Sequence, residues 1–407
     1  MSKKSSPRCL RFLENLSSNS KKGYRQSIRK YEEFHGTTIE KLIDEALEEQ
    51  TNQVPTHLLK VIDRLESFQE SLIESNLTIS TIKLHMTLIK TTYKKNRIDI
   101  PYIETVNAKK CRRREYIEYK DILTKDEIRC CLKYMRLPAQ ARAMTIVQGG
   151  LSNEECEHLT TRAFIDELRK YHQCDNDVDA LKWLSDENHP VIWVTKLIRI
   201  KTAKPFYALI GAEAVNKIAE AKLYELGLPK NNGKLNDKLL NTCKQSFTRT
   251  CSQVNKKCGL GLVAEESKFR SHMLRKFHAT HIRGSVLTYE EHSTISNAEI
   301  DEMQGRGKTS VQDTYIKSNP LEQKLIYAKV MNNVSLYNEY DYEIVGDDVL
   351  IHKVDQLSEN KKLKKEVQDL NRKLQKKKRA SEKVQKLREE LGNDLFNEMI
   401  GDILNAS

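Results

Sequence analysis

The chain has 407 residues, 38% of them hydrophobic, with eight prolines and fifteen glycines, which is enough for two or three domains that each bury a core and suits a helix-rich globular protein. Its 69 lysines and arginines against 57 aspartates and glutamates leave a formal charge of +12, favouring a polyanionic partner without singling out nucleic acid. Nine cysteines without a C-x-x-C pair exclude zinc-finger spacing, and no apolar run approaches the roughly 20 residues that span a bilayer, so a soluble cytoplasmic protein with reduced thiols and no membrane partner is expected.

Helical periodicity runs from about Phe12 to Glu104. Tyr24, Ile28, Tyr31 and Phe34 form one apolar stripe, with Lys21, Lys22, Arg25, Arg29 and Lys30 on the other faces. A second helix near His57 to Glu74 carries Leu59, Ile62, Leu65 and Phe68. A third opens at Ser80-Thr81, repeats Ile82, Met86, Ile89 and Tyr93, and ends in Lys94-Lys95-Asn96-Arg97 before Pro101. These three or so helices read either as a bundle whose charged faces are solvated or as a DNA-binding unit. The run K-K-C-R-R-R, residues 109–114, reads as a linker that crosses a phosphate backbone, where clustered cations release counterions, or as a solvated loop.

A second domain begins near Leu123. Thr124 with Glu127 is a capping box ahead of Ile128, Leu132 and Met135, so a helix starts there. His172 and Cys174 are too isolated for a zinc site and read as exposed polar loop residues. From Val191 to Leu209 the period changes, with β-rich runs on both sides of K-T-A-K-P, which predicts a hairpin. Helical patterns return over Ala212 to Leu226 and Leu239 to Cys258, separated by a polar loop over Asn231 to Lys238, and again over Leu321 to Val334, with a short strand over Tyr340 to Val345. The tail from Lys353 to Glu390 has no aromatic residue, glycine or proline, and Ile351 to Glu390 carries 14 Lys and Arg against 7 Asp and Glu. Asn360, Leu363, Val367, Leu370 and Leu374 fall on heptad positions, but Lys377, Ser381 and Arg388 interrupt the register. A short coiled coil, a basic helix lying on DNA and a solvated extension all fit.

The stretch from Ser271 to Pro320 carries the chemistry. It opens with S-H-M-L-R-K-F-H-A-T-H, where His272 and Arg275 share one face of a helix, and closes with Gly305-Arg306 and, ten residues after the glycine, Tyr315. A tyrosine hydroxyl, an imidazole and guanidinium groups are what phosphoryl transfer to a tyrosine requires: a nucleophile, and fixed donors for the charge on the non-bridging oxygens. H-M-L-R, Q-G-R and Tyr315 resemble, in order and spacing, the H-x-x-R, G-[HWR] and tyrosine signature of the tyrosine recombinases, the phage-integrase family. The run from Tyr315 to Pro320, Y-I-K-S-N-P, looks most like the archaeal integrase-like members.

The resemblance implies a mainly α fold with a small β-hairpin or sheet: an N-terminal SAM-like helical core-binding domain over residues 1–108, a basic linker over 109–118, an α+β tyrosine-recombinase catalytic domain over 119–345 and a basic helical or coiled-coil tail over 346–407. It implies that Tyr315 attacks a DNA phosphodiester to form a 3′-phosphotyrosyl link, that Arg275 and Arg306 steady the phosphate, and that His272 positions it and moves protons. Lys201, in a Lys-Thr pair within the predicted hairpin, would protonate the leaving 5′ oxygen, with Lys204 as a nearby alternative. Lys94, Lys95, Arg112, Arg113 and Arg114 would contact DNA outside the reaction centre. The partners implied are a double-stranded attachment site and a homotetramer assembled on it, with room for an accessory DNA-bending protein, and the chemistry needs no cofactor. One position departs from the family pattern. Where G-L-R-x-x-E is expected, Gly150, Leu151 and Glu155 match but Ser152 stands in place of the first arginine, and a hydroxyl supplies neither the charge nor the bidentate fork of a guanidinium. Arg142, Arg162 and Arg199 are candidates to fill the gap. If none does, the chain is a site-binding DNA protein with impaired chemistry. A type IB topoisomerase-like nicking and resealing activity uses the same residue types and stays open as well.

Overall fold

The computed structural model describes residues 8–113, 116–231, 233–283, 295–306 and 319–354. Tyr315, Arg114 and the tail beyond residue 354 lie outside the described residues. The chain divides into two compact units at Tyr116 and Ile117; both are mostly helical, and the second also carries small antiparallel hairpins.

Among its described residues the first unit has four α-helices, α1 (Ser18–His35), α2 (Ile39–Thr51), α3 (Lys60–Glu74) and α4 (Ile79–Lys95). Ser17 caps α1 by accepting a hydrogen bond from the Ser20 amide, and Gly36 ends it in the left-handed conformation with φ 63°. Ile28 and Tyr31 of the predicted stripe are buried, while Phe34 at its end is 44% exposed. Leu65, Phe68, Ile82, Ile89 and Tyr93 complete the core, and the Tyr31 and Tyr93 hydroxyls meet at 3.2 Å. The sequence reading of three or so helices omits α2, whose Ile39, Leu42, Ile43 and Ala46 face this core. The basic run is docked in part: the Arg112 amide donates to the Leu77 carbonyl at 3.3 Å and Cys111 is buried.

The second unit is built around α6 (Leu137–Gly149), whose residues 141–149 are all buried. Helix α5 (Lys125–Lys133) precedes it, started by the Thr124–Glu127 capping box in both directions. Helices α7 (Thr161–His172) and α8 (Asp177–Ser185) lead to strands β1 (Trp193–Ile198) and β2 (Pro205–Ile210), which pair antiparallel with Trp193 opposite Ile210. Then follow α9 (Ala212–Leu226), α10 (Lys244–Lys257), the two-residue strands β3 (Leu262–Val263) and β4 (Glu266–Ser267), α11 (Ser271–His281) and α12 (Asn297–Met303). Helix α13 (Pro320–Val330) and the hairpin of β5 (Tyr340–Val345) and β6 (Asp348–Lys353) close the described chain. The expected strand over Tyr340 to Val345 is thus half of a hairpin, and residues 348–353 form its partner rather than the start of a helical tail.

Two carboxylates, the buried Glu213 and the partly buried Asp348, fix the end of the unit. Glu213 accepts the amides of Leu336, Tyr337 and Asn338, each at 2.7 Å. Asp348 accepts Lys170, Lys324 and the Tyr171 hydroxyl, which together outweigh desolvation and hold its carboxyl well below the usual range. His172 is not the exposed loop residue expected. It is buried at the end of α7, with one ring nitrogen 3.0 Å from the Ile165 carbonyl oxygen and the other accepting the Cys174 amide, so the pair finishes a helix.

Candidate active site

Helix α6 ends at Gly150 in the left-handed conformation, φ 61°. A side chain there is barred twice over, because a Cβ would also lie 2.5 Å from the ring of His278. The chain then turns at Ser152. Its hydroxyl accepts the Glu155 amide at 3.1 Å, and the Glu155 carboxylate accepts the Ser152 amide at 2.8 Å. This reciprocal S-x-x-E pair has the bonding pattern of a capping box and closes the turn that leads into the 3₁₀ helix Glu155–His158. Ser152 therefore orients Glu155, which is 4% exposed.

Glu155 is where the separated segments meet. From α11, Arg275 donates through Nη1 to Glu155 Oε2 at 3.0 Å and through Nη2 to the Gln304 carbonyl at 3.0 Å. Arg199, which follows β1, donates through Nη1 to the same Gln304 carbonyl and lies 3.9 Å from Glu155 Oε1. Gln304 stands at the end of α12, where the Arg306 amide returns to the Asp301 carbonyl and the Gly305 amide to Glu302. These two bonds make a Schellman turn, which needs a left-handed residue past the helix end, and Gly305 supplies it with φ 61°. A Cβ on Gly305 would lie 2.7 Å from the Phe206 ring of β2, so glycine also permits the close approach that brings the Gln304 carbonyl to both arginines. The negative end of a helix dipole adds to the attraction for cations there.

The guanidinium of Arg275 is buried, which lowers its pKa; Glu155 opposes this, while Arg199 and Arg306 reinforce it. Arg306 is half-exposed and paired with Asp301 at 3.4 Å. Summed formally, Arg275, Arg199 and Arg306 face Glu155 and Asp301, so the cluster retains one positive charge.

His272 lies on α11 one turn before Arg275, at the surface, with its pKa lowered by partial desolvation and by Lys276 and Arg270. His278, one turn beyond Arg275, is fully buried. Its Nδ1–H donates to the Val147 carbonyl at 3.0 Å, and burial pushes its pKa down to about 4. Lys201 is exposed in the loop joining β1 to β2, and Lys204 flanks that loop. The Arg199 amide donates to the Lys204 carbonyl at 2.8 Å and the Ala203 amide to the Arg199 carbonyl at 2.7 Å, so the loop closes tightly.

Of the three arginines considered for the gap at Ser152, only Arg199 joins Arg275. Arg142 is wholly buried, bound to Asn153, the Thr242 carbonyl and Glu157. Arg162 is exposed on α7 beside Asp166. The expected DNA contacts Lys94, Lys95, Arg112 and Arg113 are all exposed on the first unit. Among the described residues, no group of three or more His, Cys, Asp or Glu is placed to hold a metal ion. Sequence reasoning missed the roles of Ser152 and His278; the S-x-x-E spacing was a legible signal for the first, and nothing in the sequence distinguishes the second.

No family model and no curated protein matches the sequence. Solved structures similar to the chain include a XerA recombinase, at 15% identity over 76% of this chain and 93% of that one, with a TM-score of 0.31. A lambda integrase fragment, in a dimer bound to a COC′ core site, is similar at 12% identity over 76% and 98%, TM-score 0.45. A XerH site-specific recombinase bound to difH substrate in a pre-cleavage complex is similar at 16% identity over 77% and 84%, TM-score 0.42.

Proposed function

We propose that this chain is a site-specific DNA recombinase of the tyrosine class, which cuts and rejoins strands through a 3′-phosphotyrosyl intermediate during integration or excision of a mobile element. The observation that carries the reading is the convergence on Glu155 and the Gln304 carbonyl of residues from separate segments, among them the H-x-x-R arginine and the turn of the G-R motif. Two guanidiniums held on one buried carboxylate keep donors ordered beside each other, which is the arrangement a phosphate would use.

In the mechanism, the Tyr315 oxygen attacks phosphorus, the bond from phosphorus to the 5′ oxygen breaks, and Lys201 gives that oxygen its proton. Arg275 and Arg306 hold the non-bridging oxygens, where fixed cationic donors stabilise developing charge, and His272 orients the phosphate and accepts the tyrosine proton. The tyrosyl ester keeps the energy of the phosphodiester, so a 5′ hydroxyl of a partner strand reverses the step without nucleotide hydrolysis. Lys94, Lys95 and the basic run from Arg112 to Arg114 contribute phosphate contacts that set affinity rather than sequence choice. Four protomers on two duplexes would perform the exchange.

The test uses nicked duplexes from the flanks of the protein's own gene, incubated with the parent and with Tyr315→Phe and run on a denaturing gel. A covalent adduct that forms with the parent and vanishes in the variant is expected. Tight binding by the parent without an adduct on any fragment would refute the reading and leave a DNA-binding protein that has lost its chemistry.

A further inference from the structure

We propose that Arg199 joins Arg275 and Arg306 as a guanidinium of the phosphate site and does the work of the arginine that Ser152 replaces; this rests on the strand-cleaving reading above.

Three observations carry it. The first is the facing of the strand. Trp193, Thr195 and Leu197 are the buried positions of β1, and Arg199, the next residue of that parity just past the strand's end, is 16% exposed beside Glu155, while Ile198 is 66% and Ile200 42% exposed. Two exposed isoleucines flanking an inward charge is a costly arrangement that a merely solvated arginine would avoid. The second is shared ligation. Arg199 and Arg275 flank one carboxylate and donate to one carbonyl, which fixes both guanidiniums on a common edge. Arg199 engages these groups through Nη1, and its Nε and Nη2 have no partner among the described residues. The third is position. The Ser152 amide donates to the same Glu155 oxygen that Arg275 engages, so residue 152 borders the carboxylate that Arg199 approaches at its other oxygen. A guanidinium arriving from either place would serve the same anion.

The charge balance agrees. Glu155 neutralises one of the two guanidiniums, and a phosphodiester with its single negative charge neutralises the other. Because Arg199 opens the tight loop that holds Lys201, one rigid hairpin end presents both the phosphate donor and the acid for the leaving oxygen. Gripping the phosphate and protonating the 5′ oxygen then depend on one element being in place.

The experiment compares adduct formation on the nicked flanking duplexes for the parent, Arg199→Ala, Arg199→Lys and the double variant Ser152→Arg with Arg199→Ala, alongside gel-shift affinity and circular dichroism. Arg199→Ala should slow the adduct by about 10²–10³-fold, the loss seen when one fixed donor to a developing charge is removed, with affinity changed only a few-fold. Arg199→Lys should lie between, since it keeps the charge but not the fork. Ser152→Arg should restore the double variant at least tenfold, an outcome that a purely structural role for Arg199 does not produce. An adduct rate in Arg199→Ala within a few-fold of the parent overturns the assignment and leaves the recombinase reading standing. A folded Arg199→Ala protein that is slow but gains nothing from Ser152→Arg also overturns it. An adduct missing from the parent sinks the strand-cleaving reading, and the assignment with it.

Discussion

Replacing Glu155 by glutamine tests the electrostatic core of the site directly. The carboxylate is 4% exposed, accepts Arg275 at 3.0 Å and the Ser152 amide at 2.8 Å, and lies 3.9 Å from Arg199. Removing one partner of a buried ion pair costs about 3–5 kcal/mol because the other charge is left uncompensated. Glutamine keeps the shape and one accepting oxygen, which places Glu155→Gln at the lower end, about 3 kcal/mol. For a unit of this size each kcal/mol moves the thermal midpoint by about 2–4 °C, so the midpoint should fall by about 6–12 °C. The same substitution leaves two guanidiniums without their counter-charge, and an added anion should repair the loss. If orthophosphate binds the variant tenfold more tightly, it contributes about 1.4 kcal/mol more to the variant than to the parent at saturating concentration. The assay is thermal unfolding of the full chain by circular dichroism in low-salt buffer, with and without orthophosphate. A midpoint within 2 °C of the parent, with both proteins equally indifferent to phosphate, would refute the idea that Glu155 supplies the counter-charge of the arginine pair.

Two other perturbations read separate parts of the site. His278 has its pKa lowered from 6.5 to about 4 by complete burial; the unfolded chain therefore binds the proton first as pH falls, and the native state loses about 1.4 kcal/mol per pH unit between 6.5 and 4 from this group. Urea midpoints from pH 7 down to 4.5 should show that slope and His278→Gln should flatten it; an unchanged slope would mean that other groups govern acid lability. Gly305→Ala and Gly36→Ala place a methyl on two left-handed helix ends with nearly equal φ, 61° and 63°, but only Gly305 meets a ring at 2.7 Å while Gly36 has open space. Gly36→Ala should cost about 1 kcal/mol, the left-handed penalty alone, and Gly305→Ala about 2–3 kcal/mol, together with slower adduct formation as the Gln304 carbonyl shifts. Equal costs would show that the Phe206 contact is soft.

Local signals with a single physical meaning were legible in the sequence, and those that depend on tertiary context were not. The stripe through Ile28 and Tyr31, the Thr124–Glu127 cap and the β1–β2 hairpin each follow from short-range periodicity or one reciprocal hydrogen-bond pair, and all are present. Helix α2 had the same kind of stripe, and its omission was a failure of reading rather than of signal. The basic run was harder. Charge favours solvent, but Cys111 in its midst is buried, and one buried thiol anchors neighbours that look like a linker. His172 went astray for a similar reason: a histidine near a helix end is polar by composition, but its two ring nitrogens satisfy two backbone groups at once and can be buried. Arg199 was one of three candidates because composition cannot tell an arginine facing solvent from one facing inward. Only the exposure of both flanking isoleucines gives it away.

On the proposed assignment, Ser152 and Arg199 form one exchange. A side chain at 152 can cap the 3₁₀ turn or carry a guanidinium, but not both, since the cap needs a short oxygen acceptor within reach of the Glu155 amide. A cap of this kind contributes about 1 kcal/mol and, through the reciprocal bond, aims the Glu155 carboxylate at Arg275. Once Arg199 turns inward from the hairpin, the guanidinium at 152 becomes redundant and unfavourable, because a third cation would then crowd a single buried carboxylate. On that assignment serine suits position 152, because the turn keeps its hydrogen bonds and Arg199 supplies the charge from the hairpin.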